Sequence, residues 1–207
     1  MTTTVLITGF GRFPGAPFNP SAPLARALTK RKRPAFSDIY RAVHIFETSY
    51  AAVDRDLPKL IARHKPDILL MFGLAARTPF VRIETRARNA MSILFPDVSG
   101  YRPDERGIVK AKTDAIGAAP FQHLLRSARA NRVTARMSRD AGRYLCNYVY
   151  WRALEASRSG TPLAQFIHIP PTSNGPRPKG RRRRVSQAAL LRAAEAILLA
   201  LLAARRR

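Results

Sequence analysis

Residues 67–73 read DILLMFG, an apolar run held between Pro66 and Gly73. Its apolar residues follow one another without polar alternation, which predicts a strand covered on both faces rather than one wetted on one side. Such a strand needs helices above and below it, and the flanking sequence supplies them. Ala51–His64 has helical spacing, with Leu57, Leu60 and Ile61 on one face. Further back, Ile39–Phe46 alternates as a strand and Ser21–Leu28 starts a helix. Val5–Thr8 (VLIT) is a short apolar run that ends at Gly9, as a buried first strand would. Downstream, Phe80–Arg86 sets Phe80, Arg82, Glu84 and Arg86 against Val81, Ile83 and Thr85, giving one ionic and one apolar face. Phe95–Lys112 is rich in Gly, Pro and Asp and predicts a long loop. Pro120–Ala128 then predicts a helix, Arg132–Met137 a strand, Tyr144–Ala156 a helix and Gln165–Ile169 a last strand stopped by Pro170 and Pro171. Strands alternating with helices predict an α/β fold, a mixed, largely parallel sheet with helices on both faces.

The chain has 207 residues, enough for one sizeable domain and short for two, so a single domain over 1–207 is expected. Residues 172–184 form a basic linker, and Ser186 is placed to cap a final helix over 186–204. Leu190, Leu191, Ala194, Ile197, Leu198, Leu201 and Leu202 give that helix a broad apolar stripe. Arg192 and Glu195 interrupt it, so it reads as a core helix rather than a membrane span. MTTTVLITGF has no basic segment followed by an apolar run, and no signal peptide is read there. One cysteine in the whole chain excludes an internal disulfide and suits a reducing cytoplasm.

Charge is the unusual property. Lys and Arg number 37 against 13 Asp and Glu, a formal net charge of +24. The excess is mostly Arg spread along the chain, with tracts at 181–184 and 205–207. No nucleic-acid-binding signature accompanies it, so a nucleic-acid partner is not expected from charge alone. GFGRFPG, after the first strand, fits neither a dinucleotide fingerprint nor a phosphate-binding loop.

The chemistry centres on that cysteine, Cys146, in AGRYLCNYVY (141–150). It falls at the start of a predicted helix, where unpaired N–H groups and the helix dipole favour a thiolate and can hold an oxyanion. A free cysteine is equally at home as a small buried apolar residue, and the segment alone leaves both open. A nucleophile needs a base. Of the four histidines, His44 lies within a strand, His64 and His123 sit in polar helical settings, and His168 ends the last strand at the rim of the sheet. His168 is therefore the best base by elimination. Glu84, among Arg82, Arg86 and Arg88, is a candidate orienting carboxylate, or simply a charge that balances those arginines.

Four segments together resemble the pyroglutamyl peptidase I family, also called pyrrolidone-carboxylate peptidases. AGRYLCN is similar to its cysteine signature, Ala-Gly-Thr-Phe-x-Cys-Asn. GLAARTPFVRIETRARN resembles its glutamate motif, with Gly73, Glu84 and Asn89 at the matching positions. QFIHIP resembles Phe-Ile-His-Val-Pro, and LITGFGRFPGAPFNPS the family opening. The order and spacing agree over roughly residues 4–170. The resemblance implies a three-layer α/β/α sandwich and a cysteine peptidase that removes an N-terminal pyroglutamyl (5-oxoprolyl) residue from peptides through a thioester. It implies Cys146 as nucleophile, His168 as acid and base, and Glu84 as orienting carboxylate. Phe10 and Phe13 match residues that enclose the lactam ring, and Asn19 a residue of the pocket region. Leu74 stands where Gln is usual, at a position that serves the lactam through its backbone. Arg143-Tyr144 replaces the usual Thr-Phe, giving the pocket wall a charge and a hydroxyl. Neither metal nor cofactor is implied. Relatives include tetramers and monomers, so a homo-oligomer is open. A basic binding module on the same scaffold is the competing reading, supported by the +24 charge.

Overall fold

The computed structural model describes residues 2–13, 16–110, 113–159, 162–173 and 184–206. Most of the linker, with Arg181–Arg183, lies outside them, as does Arg207. Among the described residues eight strands and five α-helices follow one another: β1 (Thr3–Phe10), α1 (Ser21–Thr29), β2 (Ile39–Phe46), α2 (Tyr50–His64), β3 (Ile68–Leu74), β4 (Val81–Glu84), β5 (Arg86–Ala87), β6 (Ala115–Ile116), α3 (Phe121–Ala130), β7 (Ala135–Ser138), α4 (Leu145–Ala156), β8 (Leu163–Ile169) and α5 (Gln187–Arg205). Six strands form one sheet in the order β2-β1-β3-β8-β4-β7, and β5 pairs with β6 apart from it.

The buried run of the sequence is the centre of the molecule. Ile68, Leu70 and Phe72 of β3 face one core, while Leu69 and Met71 face the other. β1 is sorted in the same two-residue period, Val5 and Ile7 against Leu6 and Phe10. Leu24 and Leu28 of α1, Leu124 of α3 and Leu198 of α5 cover the first face. Val53 and Leu57 of α2 and Tyr150 and Trp151 of α4 cover the second. This is the expected three-layer α/β/α sandwich.

Strand direction sets up the site. β2, β1, β3 and β8 run parallel. β4 is antiparallel to β8 and parallel to β7, so the polarity of the sheet reverses between β8 and β4. β8, last of the strands in sequence, fills the slot between β3 and β4.

Two expectations are corrected in detail. The strand expected over Phe80–Arg86 breaks at Thr85, whose N–H and hydroxyl both donate to Ser138 O, and Arg86–Ala87 joins the small second sheet. The strand expected from Arg132 starts at Ala135, because Arg132 takes a left-handed turn (φ 58°) as the chain leaves α3. α5 is long and apolar enough to cross a membrane by length and composition, though half of that stretch is buried. Leu190, Ile197, Leu198, Leu201 and Leu202 pack in the core and Ser186 caps the helix by accepting from Ala189 N–H, as expected. Glu195 is buried there too, where it pairs with Arg31 at 2.7 Å and with Arg33.

Candidate active site

Three elements meet where the sheet changes polarity. β8 carries His168 near its C-terminal end, β4 carries Glu84, and α4 carries Cys146 in its first turn. In the β4–β8 register Arg82 lies opposite His168, so Glu84, two residues on, is its diagonal neighbour on the same face. His168 Nδ1 is 2.9 Å from Glu84 Oε1, and both side chains are buried. Arg82 Nε also reaches Glu84 Oε1 at 2.9 Å, so one carboxylate oxygen meets both the imidazole and the guanidinium. The Glu84 carbonyl accepts from Tyr150 Oη at 3.1 Å and from Gln165 Nε2 at 3.0 Å. Its position is fixed at the main chain as well as at the carboxylate.

The other side of the imidazole meets the thiol. Cys146 lies against the imidazole, and with Nδ1 taken by Glu84 the remaining nitrogen, Nε2, is the one left to serve the thiol. Burial alone would push the imidazole down, but the charges and hydrogen bonds of Cys146 and Glu84 outweigh it and raise His168 to about 9. The imidazolium is thus the favoured form at neutral pH. Gly73, which pairs with His168 across β3 and β8, makes room for the sulfur. A Cβ at residue 73 would lie 2.7 Å from Cys146 Sγ and 2.7 Å from Phe166.

The start of α4 supplies donors. Its first turn has no side-chain cap, and its N-cap residue Tyr144 is extended. The leading N–H groups beside Cys146 point out of the helix start. Gly142, with φ 85°, turns the chain into that start as few other residues can. Asn147, fully buried, ties the helix to the segment after β5. Its Oδ1 accepts from Arg88 N–H at 2.8 Å, and its Nδ2 donates to Arg88 O and Ala90 O.

A cavity of about 170 Å³ opens over the sulfur. Phe10, Phe13, Asn19, Leu74 and Tyr144 line it with Cys146 and His168, so every expected site residue except buried Glu84 borders one space. Thr48, Ala141, Gly142, Arg143 and Leu145 complete it. Asn19 is largely committed to its own loop, where Oδ1 accepts from Ser21 N–H and Oγ, and Nδ2 donates to Gly11 O at 3.0 Å. Tyr144 donates its hydroxyl to Pro96 O at 2.8 Å. Burial, with the charges of Asp97 and Cys146, pushes that hydroxyl up to about 12.

Some contributors escaped the sequence reading. Arg82 was visible only as one arginine among several. Asp97 is buried and accepts from Tyr50 N–H, Ser99 N–H and Tyr101 N–H, which fixes the loop under Tyr144 and caps α2. Its only local signal is the Asp-x-Ser of a turn.

Comparison with known proteins agrees with this geometry. The pyroglutamyl peptidase family profile matches residues 3–180. The pyrrolidone-carboxylate peptidase of Thermococcus kodakarensis is 32% identical over 169 residues, 80% of each chain. That of Thermococcus litoralis is 34% identical over 171 residues, covering 81% of this chain and 76% of its own. Among solved structures, the Pyrococcus furiosus pyrrolidone carboxyl peptidase superposes with a TM-score of 0.89 at 27% identity, covering 98% of this chain and 100% of that one. The Thermococcus litoralis structure gives 0.86 at 28% identity, covering 97% and 94%. The sequence, the fold and the three-residue relay converge: this chain belongs to the pyroglutamyl peptidase family of cysteine-type hydrolases.

Proposed function

We propose that Cys146, His168 and Glu84 carry the hydrolysis of the bond after an N-terminal pyroglutamyl residue. The observation that supports this most is the unbroken relay from sulfur to imidazole to buried carboxylate under a small, mostly apolar cavity. The Cys146 thiolate attacks the pyroglutamyl carbonyl carbon, and the negative charge that forms on its oxygen meets the N–H groups at the start of α4. The C–N bond breaks as His168 gives its proton to the departing amine, leaving a thioester on Sγ. Water then enters, His168 takes its proton, and the thioester collapses to free pyroglutamate and the thiolate. Glu84 holds the imidazole in register and Arg82 holds Glu84.

The lactam carries no free amine, so an apolar slot between Phe10 and Phe13 suits it. Asn19 keeps the loop that bears Phe13 closed onto Gly11 O, and Leu74 borders the slot where β3 ends. The thiol must stay reduced to act, which supports a cytoplasmic setting.

The test is release of amine from a pyroglutamyl chromogenic amide. Cys146→Ala and His168→Ala each lower turnover by about a thousandfold or more, while Glu84→Gln lowers it less. Wild-type turnover in Cys146→Ala overturns the mechanism. Alkylation of the wild-type thiol abolishes the activity in parallel.

A further inference from the structure

We propose that Arg143, at the mouth of the cavity, selects pyroglutamyl peptides whose next residue is acidic. This rests on the reading of the site given above. A cavity of about 170 Å³ is of the size of the lactam ring and the reacting carbonyl. The residue after the scissile bond therefore lies outside, against whatever rims the opening.

Arg143 lines the cavity, is exposed, and forms no ion pair among the described residues. Its neighbours are already committed. Gly142 N–H donates to Asp140 Oδ1, Asp140 pairs with Arg88 at 3.1 Å, and the Tyr144 hydroxyl is held by Pro96 O. Arg143 is left to interact with what arrives.

The same end of the sheet carries two more exposed arginines without an ion pair among the described residues. Arg12 adjoins the cavity residue Phe13, and Arg77 lies in the turn from Ala75 to Thr78 that follows Leu74. Of the acidic groups nearby, Asp97 is buried and spent on backbone N–H groups, Asp140 pairs with Arg88, and Glu47 acts on Arg55. The rim is cationic, and a guanidinium can take a carboxylate through two parallel N–H donors. A positive field also draws acidic peptides toward the opening and repels basic ones.

The experiment compares kcat/KM for pyroglutamyl-Asp, pyroglutamyl-Ala and pyroglutamyl-Lys peptides of otherwise identical sequence, read by release of the new amine at low ionic strength. Efficiencies are expressed relative to the Ala peptide for each variant, so a general loss of activity cancels. The wild type favours Asp over Ala about fivefold, the gain of one partly screened ion pair to Arg143. Arg143→Ala brings the ratio near one, Arg143→Lys restores part of it, and Arg143→Glu favours the Lys peptide. Molar salt collapses the wild-type ratio. Equal cleavage of all three peptides by the wild type overturns the inference alone. An acidic preference that survives Arg143→Ala overturns the assignment to Arg143. Cleavage of none overturns the underlying reading and the inference with it.

Discussion

The most exacting position at the residue scale is Gly73. It is not a turn residue; it sits inside a buried strand, opposite His168, with the Cys146 sulfur pressed against its α-carbon. Gly73→Ala puts a methyl within 2.7 Å of Sγ, and Phe166 on the other side blocks the simplest relief. The sulfur must move, and displacement by about 1 Å costs a reacting pair on the order of a hundredfold in rate. The expected result is a fall in kcat of that order, measured beside a thermal midpoint that drops only modestly, since one added methyl in a core costs about 1–3 kcal/mol. Unchanged kcat in a folded Gly73→Ala protein would show that the thiol is not held where the geometry puts it. Residues of this kind are only half legible in a sequence. Gly73 marks the end of an apolar run, but what it leaves room for comes from a helix more than seventy residues later. Glu84 was legible as a carboxylate among arginines, with its role open. The structure separates the arginines: Arg82 grips Glu84, Arg86 pairs with Asp114, and Arg88 pairs with Asp140.

At the scale of elements, α4 has its first turn aimed at the cavity and its flank tied to residues 88–90 by a single side chain. Truncating Asn147 to Ala leaves Arg88 N–H, Arg88 O and Ala90 O without that partner in a partly buried setting. Each unsatisfied buried group costs about 1–3 kcal/mol before relaxation. A net loss of about 2–3 kcal/mol in urea unfolding is expected, together with loosening of the 88–90 segment seen by amide exchange. Loss of stability without that local signature would place the role of Asn147 elsewhere. The elements themselves were largely readable. Continuous apolar runs revealed β1 and β3, alternation revealed β2, and Ser186 revealed the start of α5. β5 and β6, two residues each, are too short to leave a periodic trace. The antiparallel sense of β4 was unreadable for another reason: periodicity records which face a residue takes, not which way its strand runs.

Whole-molecule stability inherits the raised His168. Between its ordinary value of 6.5 and about 9, the folded protein holds a proton on His168 that the unfolded chain has released. Where the native state binds more protons, stability falls as pH rises. The contribution is fully present below pH 6.5 and is lost as pH passes through about 9. Urea unfolding of the wild type should therefore weaken across that window, and His168→Gln should flatten the slope. An equal slope in both proteins would remove His168 as its source.

The place of β8 in the sheet also governs when the enzyme comes into being. Its partners β3 and β4 stand next to each other in sequence, yet β8 lies between them in the sheet. Glu84 and Cys146 precede residue 163, whereas His168 arrives with that strand. On the proposed mechanism, a chain that has not yet supplied β8 lacks the imidazole that the Cys146 thiol and the Glu84 carboxylate both contact, so activity would require β8 in its place between β3 and β4.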